Sequence, residues 1–444
     1  MPSPLLPVSP AARARARALL DFIDLSPSPW HVAEAAAALL EAGGYRRLEE
    51  ADAWQLAPGD RCYVVRDGST LAAFRIGTAP LAETGLRLIG AHTDSPGLRV
   101  KPRAGEAKGD WLRLGVEVYG GPILATFADR DLSLAGRVAL RAPRAPLGVG
   151  SRLVRFDHPL LRIPNLAIHL NRKVNEDGLK LDRQAALPPI LGAVQDGLPP
   201  ADHLTRLLSE ALAVDPADIL GFELNVYDTQ PGAFFGPQQE FIADSQLDNL
   251  GSSHAALVAL LDTDARPPAA TALCLLFDHE EVGSTSAKGA DGSFMDDVLE
   301  RIALGSGLDR ADYRRMLARS MLVSADMAHA FHPGHAGAYD DQHRVHVNAG
   351  PVVKTNASQR YTTDGMSAGV FQLACERAGV PWQSYVQRSD LACGSTIGPL
   401  AAARLGLRSV DVGNPMWAMH SARESAGAAD HDAMCRALGE FFRA

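Results

Sequence analysis

From Phe241 onward, runs with a helical period alternate with short strand-like runs, and this alternation constrains the fold more than any other feature. GSSHAALVALLD, DDVLERIAL, AGVFQLACERAG and TIGPLAAARLG carry apolar residues at helical spacing. TALCLLF, MLVSAD, PWQSYVQ and LRSVDVG between them are short, apolar and strand-like. A helix between successive strands returns the chain to start each strand in the same direction. The expected product is a largely parallel sheet with helices on both faces. Upstream, residues 10–43 read as helical and stop at Gly43-Gly44, and residues 61–65, 71–76 and 86–91 read as strands of the same sheet. Residues 98–239 have a different texture. WLRLGVEVYG, LSLAGRVAL, SRLVRFDH and LAIHL are short Val/Leu-rich runs separated by Gly, Pro and Asp, with a helical patch over residues 191–220. The expected fold is therefore an α/β/α sandwich made by residues 1–97 and 240–444, with residues 98–239 inserted as a β-rich domain. At 444 residues, two domains are also what the scaling of surface with volume favours.

Composition enters by exclusion. A net charge of −9 with no Lys/Arg-rich run argues against a nucleic-acid partner. No apolar run approaches the ~18 residues of a membrane span, and MPSPLLPVSP lacks the basic and apolar regions of a signal peptide. The five cysteines are scattered and free of CxxC spacing, as reduced thiols would be, so the expected compartment is the cytoplasm.

The chemistry sits at strand ends, where open α/β sheets bind their ligands. His92 and Asp94 follow LRLI in GAHTDSPG, Glu280 and Glu281 follow LCLLF in FDHEEVGS, and Asp326 closes SMLVSAD. His420 follows SVDVG in PMWAMHS. Adjacent acids at the mouth of a buried strand are costly unless a cation or a proton occupies them. Histidines and carboxylates, with one acid to spare, suit a two-metal hydrolytic site. Asp248 in QLDNLGSS opens a helix, so it is either a ligand or a charge interacting with the helix dipole. Asp94 is placed to accept the second imidazole N–H of His92. Of the two glutamates, one can coordinate while the other acts as base; spacing alone does not say which. HEEVG is not the HExxH of a single-zinc protease, because Gly283 stands where the second histidine would be. GSTIG has Thr396 where a nucleophile elbow needs serine, so Gly394 and Gly398 are read as shaping a helix start or admitting backbone near the site. His329, His332 and His335 in HAFHPGH fall on no regular helix face, and no nucleotide-binding glycine motif is present.

GAHTDSPGLRVKP, RIPNLAIHL, QLDNLGSS, FDHEEVGS, SADMAHAFHP, VVKTNASQRY and CGSTIGPLAAARLGLRSVDVGNPMWAMHSARES together resemble the aspartyl aminopeptidase family of dinuclear zinc exopeptidases. The resemblance runs in the family's order from about residue 15 to the C-terminus. It implies a zinc-exopeptidase-like sandwich with an inserted dimerisation domain and two Zn2+ per subunit, with Co2+ or Mn2+ also suited to these donors. His92 and Asp326 resemble the ligands of one zinc, and Glu281 and His420 those of the other. Asp248 resembles the bridging carboxylate and Glu280 the general base; Asp94, as the partner of His92, is counted with the catalytic residues. The bond after Asp248 becomes a candidate cis peptide. Lys354, Arg360 and Tyr361 resemble substrate-pocket residues, with His329 and His332 supporting them; a cationic pocket suits acidic substrates. His169, on its own merits a core histidine on a strand, would stand at a neighbouring subunit's active site, touching the oxyanion or metal-bound substrate. The implied activity is release of N-terminal residues from peptides, preferring Asp or Glu, by attack of a zinc-bridging water, in a dodecamer built from dimers. Open alternatives are a preference for neutral apolar N-termini, a deacylase or carboxypeptidase on the same metals, and a non-catalytic scaffold.

Overall fold

The strands that lead into most of the candidate site lie side by side and point the same way. In this computed structural model, which describes residues 5–195 and 198–444, Thr271–Phe277, Leu86–His92, Met321–Ala325 and Arg408–Gly413 form the parallel centre of a nine-stranded sheet. The first four residues of the MPSPLLPVSP start, and positions 196–197 within the helical expectation for 191–220, lie outside the described residues. All seven residues of Thr271–Phe277 are buried, which is why that strand reads as an unbroken apolar run.

The flanks of the sheet depart from the expected parallel order. Arg61–Arg66 and Thr70–Arg75 pair antiparallel, because the tight turn through Asp67 (φ 49°) and Gly68 (φ 76°) can only reverse the chain. Thr70–Arg75 then runs antiparallel to Thr271–Phe277, and Val352–Thr355 antiparallel to Arg408–Gly413.

Two cores enclose the sheet. On one face pack the helices Pro10–Asp24, Pro29–Ala42, Leu247–Leu261, Gly365–Ala378 and Asp430–Phe442, and on the other Phe294–Gly305, Arg310–Arg319 and Ile397–Leu405. Local chemistry sets their ends: Ser9 accepts the Ala12 N–H ahead of Pro10, and Asp364 and Ser367 form a reciprocal cap. Gly398, in the helix after GSTIG, is required by close approach, since a Cβ there would lie 2.8 Å from the Asp411 carboxylate.

Between Gly97 and Asp228 the chain builds a six-stranded antiparallel sheet over its own apolar core, which includes Leu98, Leu114, Leu134 and Leu224. The helical expectation for 191–220 narrows to His203–Leu212. Ile190–Ala193 and Ile219–Asp228 are strands, and prolines 199, 200 and 216 bound the helix. His169 is likewise not on a strand. After Ile163 the chain leaves the sheet, tethered by Asn165, which donates from main chain and side chain to Asp129 (3.0 and 2.7 Å), and His169 lies in an exposed turn. A third sheet of five short strands includes Pro415–Trp417 and Glu424–Gly427. No described helix is long and apolar enough to cross a membrane, and all five cysteines are free.

Candidate metal centre

The carboxyl ends of the four parallel strands deliver the site. Leu86–His92 ends on His92 itself, in register with Phe277 of its neighbour, and Asp326 directly follows Met321–Ala325. Past Phe277 the chain turns sharply through His279 (φ 65°) and Gly283 (φ 98°), which aims Glu280 and Glu281 back across the strand ends. His420 (φ 69°) follows the short strand Pro415–Trp417. Asp248 stands at the entry of Leu247–Leu261 with non-helical backbone angles, and its peptide bond to Asn249 is cis.

The histidines and acids converge on one another. Asp248 Oδ1 lies 3.6 Å from His92 Nε2 and Oδ2 lies 3.4 Å from His420 Nε2, so one carboxylate faces two imidazoles. Asp326 Oδ1 lies 3.8 Å and Glu280 Oε2 4.0 Å from His92 Nε2, and Glu281 Oε2 lies 3.5 Å from His420 Nε2. Each imidazole has its other nitrogen engaged by a carbonyl: His92 Nδ1 donates to Asp94 O and His420 Nδ1 to Gly121 O, both at 3.0 Å. Both Nε2 atoms are thereby turned toward the acids.

Asp94 does more than face His92. The nearest acceptor for His92 is the Asp94 main-chain carbonyl, with carboxylate Oδ1 further away at 3.5 Å. The Asp94 carboxylate also accepts the N–H groups of Glu280 and Glu281, both at 3.1 Å, and the Tyr119 hydroxyl at 2.7 Å. It fixes the main chain of the glutamate pair.

The donor set fits divalent cations. Asp248, Glu280, Glu281 and Asp326 gather around His92 and His420, with the Lys354 ammonium beside Asp326, an excess of carboxylates that divalent ions would offset. Burial and the neighbouring carboxylates push Glu280 up to about 8 and Glu281 well above the usual carboxylate range. Asp248 Oδ1 is buried without a hydrogen-bond partner. The nitrogen–oxygen spacings of 3.4–3.6 Å from Asp248 and Glu281 exceed hydrogen-bond length and lie near the ~3.3 Å between ligands that each stand ~2.0–2.1 Å from a tetrahedral zinc. Among the described residues, His92, Asp248 and Glu281 bring three ligand atoms within 4.8 Å of one another.

A cavity of about 670 Å³ opens above these groups. Lys354, Arg360, Tyr361 and His329 line it, together with Thr396 and Met419. The Lys354 ammonium is buried, donates to Met327 O at 3.1 Å, lies 3.7 Å from Asp326 Oδ2 and sits 5.1 Å from the centre of the Tyr361 ring. Arg360 is exposed at the cavity edge. His329 packs edge-on against Tyr385, and burial followed by the Lys354 charge lowers its pKa. His332 does not line this cavity: it is exposed, its Nδ1 accepts the Gly334 N–H at 3.1 Å, and its ring rests against His335. His169 also lies outside the cavity lining. Sequence reasoning missed Tyr119, Gly121 and Glu424. Glu424 is buried and accepts the N–H groups of Asp248 (2.9 Å) and His420 (2.6 Å). The glycine pair in VYGGP and the acid in SARES were their only visible signals.

A centre of this kind, at the mouth of a doubly covered parallel sheet, puts the chain among hydrolytic metalloenzymes. The family model described as aminopeptidase I zinc metalloprotease (M18) matches residues 22–442, and the chain belongs to that family of metalloaminopeptidases. A probable M18 family aminopeptidase 2 of Ectopseudomonas mendocina is 48% identical over 428 residues, covering 96% of this chain and 97% of the relative. Among solved structures, the Ape4 and Nbr1 complex matches with a TM-score of 0.93 and 37% identity, over 98% of this chain and 86% of that one. The S. cerevisiae mApe1 dodecamer matches with a TM-score of 0.85 and 26% identity, over 97% of each chain.

Proposed function

We propose that this metalloaminopeptidase uses two zinc ions per subunit to release acidic N-terminal residues from peptides. The observation that carries the reading is Asp248, whose two oxygens face different histidines as a bridging carboxylate must. His92 and Asp326 would hold one ion, Glu281 and His420 the other. Co2+ or Mn2+ would suit the same donors. When bound, such a pair polarises the scissile carbonyl and acidifies water at the site. Glu280 takes the proton of the attacking water and returns it to the leaving amine. Asp94 keeps Glu280 in place by holding its N–H.

Lys354 and Arg360 support the acidic preference. An ammonium has three donors, and Lys354 commits one to Met327 O, so two remain for a substrate carboxylate. Residues 98–239 would form the dimerisation domain on a catalytic body of residues 1–97 and 240–444. Exposed Leu166, Ile168 and Leu170 around His169 support burial of that turn against a neighbour, whose active site His169 would complete. The dodecameric relative supports assembly of such dimers into a dodecamer. Free cysteines and the absence of a membrane-crossing helix among the described residues are consistent with a cytoplasmic enzyme.

A panel of aminoacyl-naphthylamides with N-blocked controls tests this reading. Aspartyl and glutamyl substrates with a free amine should be turned over fastest. Comparable turnover of N-blocked substrates would move the reading to a deacylase.

A further inference from the structure

The six residues of the centre are positioned in two physically different ways. His92 and Asp326 stand at the ends of central strands, where the sheet's hydrogen-bond ladder already fixes the main chain. Asp248, Glu280, Glu281 and His420 stand on turns and a helix entry with irregular backbone angles, and no ladder holds them. Two buried acids take the ladder's place. Asp94 accepts the N–H groups of Glu280 and Glu281, and Glu424 accepts those of Asp248 and His420.

We propose that Glu424 is a positioning residue that sets the half of the centre formed by Asp248 and His420, without itself being a metal ligand. Its two oxygens are each committed to one main-chain N–H, Oε1 to His420 and Oε2 to Asp248. Its own backbone is anchored in Glu424–Gly427, paired opposite Asp244 of the neighbouring strand. The side chain therefore joins a rigid strand to the N–H of His420, four residues before it, and to that of Asp248, 176 residues before it. His420 is in the left-handed region, which ordinary side chains disfavour, and the Glu424 contact is the restraint on its N–H. Only a carboxylate can accept at both ends. A glutamine would turn its NH2 group against one of the two N–H donors.

The inference rests on the two-zinc reading, and a zinc titration separates the two claims without using peptidase activity. Chelator-stripped wild type and Glu424→Gln are titrated with zinc by calorimetry, with unfolding temperatures recorded for both. Asp430→Asn serves as the matched control. Asp430 is also a buried acid accepting two main-chain N–H groups, from Asn348 (2.5 Å) and Gly350 (2.9 Å), and it does not line the site cavity. The expected result is two zincs in wild type and in Asp430→Asn. Glu424→Gln should weaken the zinc of Glu281 and His420 roughly 10- to 100-fold, the usual effect of losing a residue that orients ligands, and the other zinc, which shares only Asp248 with it, by less. Should Glu424→Gln not fold, Glu424→Asp decides. It keeps the charge but is too short to span both N–H groups, so the same selective weakening is expected. Two full-affinity zincs in a folded Glu424 variant, or the same loss in Asp430→Asn, would overturn the positioning role alone. Fewer than two zincs in wild type would overturn the two-zinc reading, and this inference with it.

Discussion

Replacing Lys354 with methionine separates two roles that the structure offers a single ammonium. Its nitrogen donates to Met327 O at 3.1 Å, lies 3.7 Å from Asp326 Oδ2 and faces the substrate cavity. If its free donors bind a substrate carboxylate, the substitution removes a desolvated charge-assisted hydrogen bond. Such a bond is worth ~1.5–3 kcal/mol, or roughly 10- to 150-fold in kcat/KM for Asp- and Glu-initiated substrates. The second role acts on every substrate alike. Burial tends to raise the pKa of Asp326, but the Lys354 and His92 charges hold it below the usual carboxylate range. Losing the lysine would change the charge environment of that proposed zinc ligand whatever the substrate. The ratio of kcat/KM for aspartyl over leucyl naphthylamide, measured at saturating zinc, cancels the common effect and keeps the specific one. The wild-type ratio should exceed one and fall toward one in Lys354→Met. A wild-type preference for leucyl substrates would refute the reasoning. So would an unchanged ratio while all rates fall together, which would leave Lys354 as the counter-ion of Asp326.

Two further outcomes follow from other parts of the molecule. Mixing inactive His169→Ala subunits with inactive Glu280→Gln subunits should restore some turnover through hybrid sites; no recovery after verified subunit exchange would count against a shared site. His254 and His431 are fully buried with Nδ1 and Nε2 2.8 Å apart; burial lowers His254 to about 3 and His431 well below its usual value. Folded-state pKa values below the unfolded 6.5 mean that the unfolded chain binds more protons, so stability is lost as pH falls below 6.5. The unfolding temperature of wild type should therefore drop more steeply in that range than that of a His254→Asn, His431→Asn double variant, and equal slopes would argue against neutral buried imidazoles.

What could be read from the sequence follows the physical origin of each feature. The parallel centre was legible because helix and strand periods differ and each buried strand is a continuous apolar run, as in Thr271–Phe277. The antiparallel flanks were not, because pairing partners depend on tertiary neighbours; only the Asp67-Gly68 turn announced one reversal. His92 and Asp326 were visible as polar residues closing apolar strands. Asp94 was legible as a neighbour of His92, two residues away, but its hold on the N–H groups of Glu280 and Glu281, on a distant segment, was not. Glu424 and Gly121 act through the main chain, Glu424 on the N–H of Asp248, 176 residues away, and Gly121 by its carbonyl on His420, 299 residues away, and no local pattern encodes such contacts. His169 was misread as a strand residue because LAIHL alternates like a strand; Pro164 and the Asn165–Asp129 contact take it out of the sheet.

The central claim is a two-zinc centre in which Glu280 is the base and Glu281 a ligand. The most direct measurement is zinc content and turnover of Glu280→Gln and Glu281→Gln side by side. Glu280→Gln should keep two zincs per chain and lose roughly 10²–10⁴ in kcat, whereas Glu281→Gln should fall to one zinc. Loss of zinc from Glu280→Gln with full retention in Glu281→Gln would contradict the account.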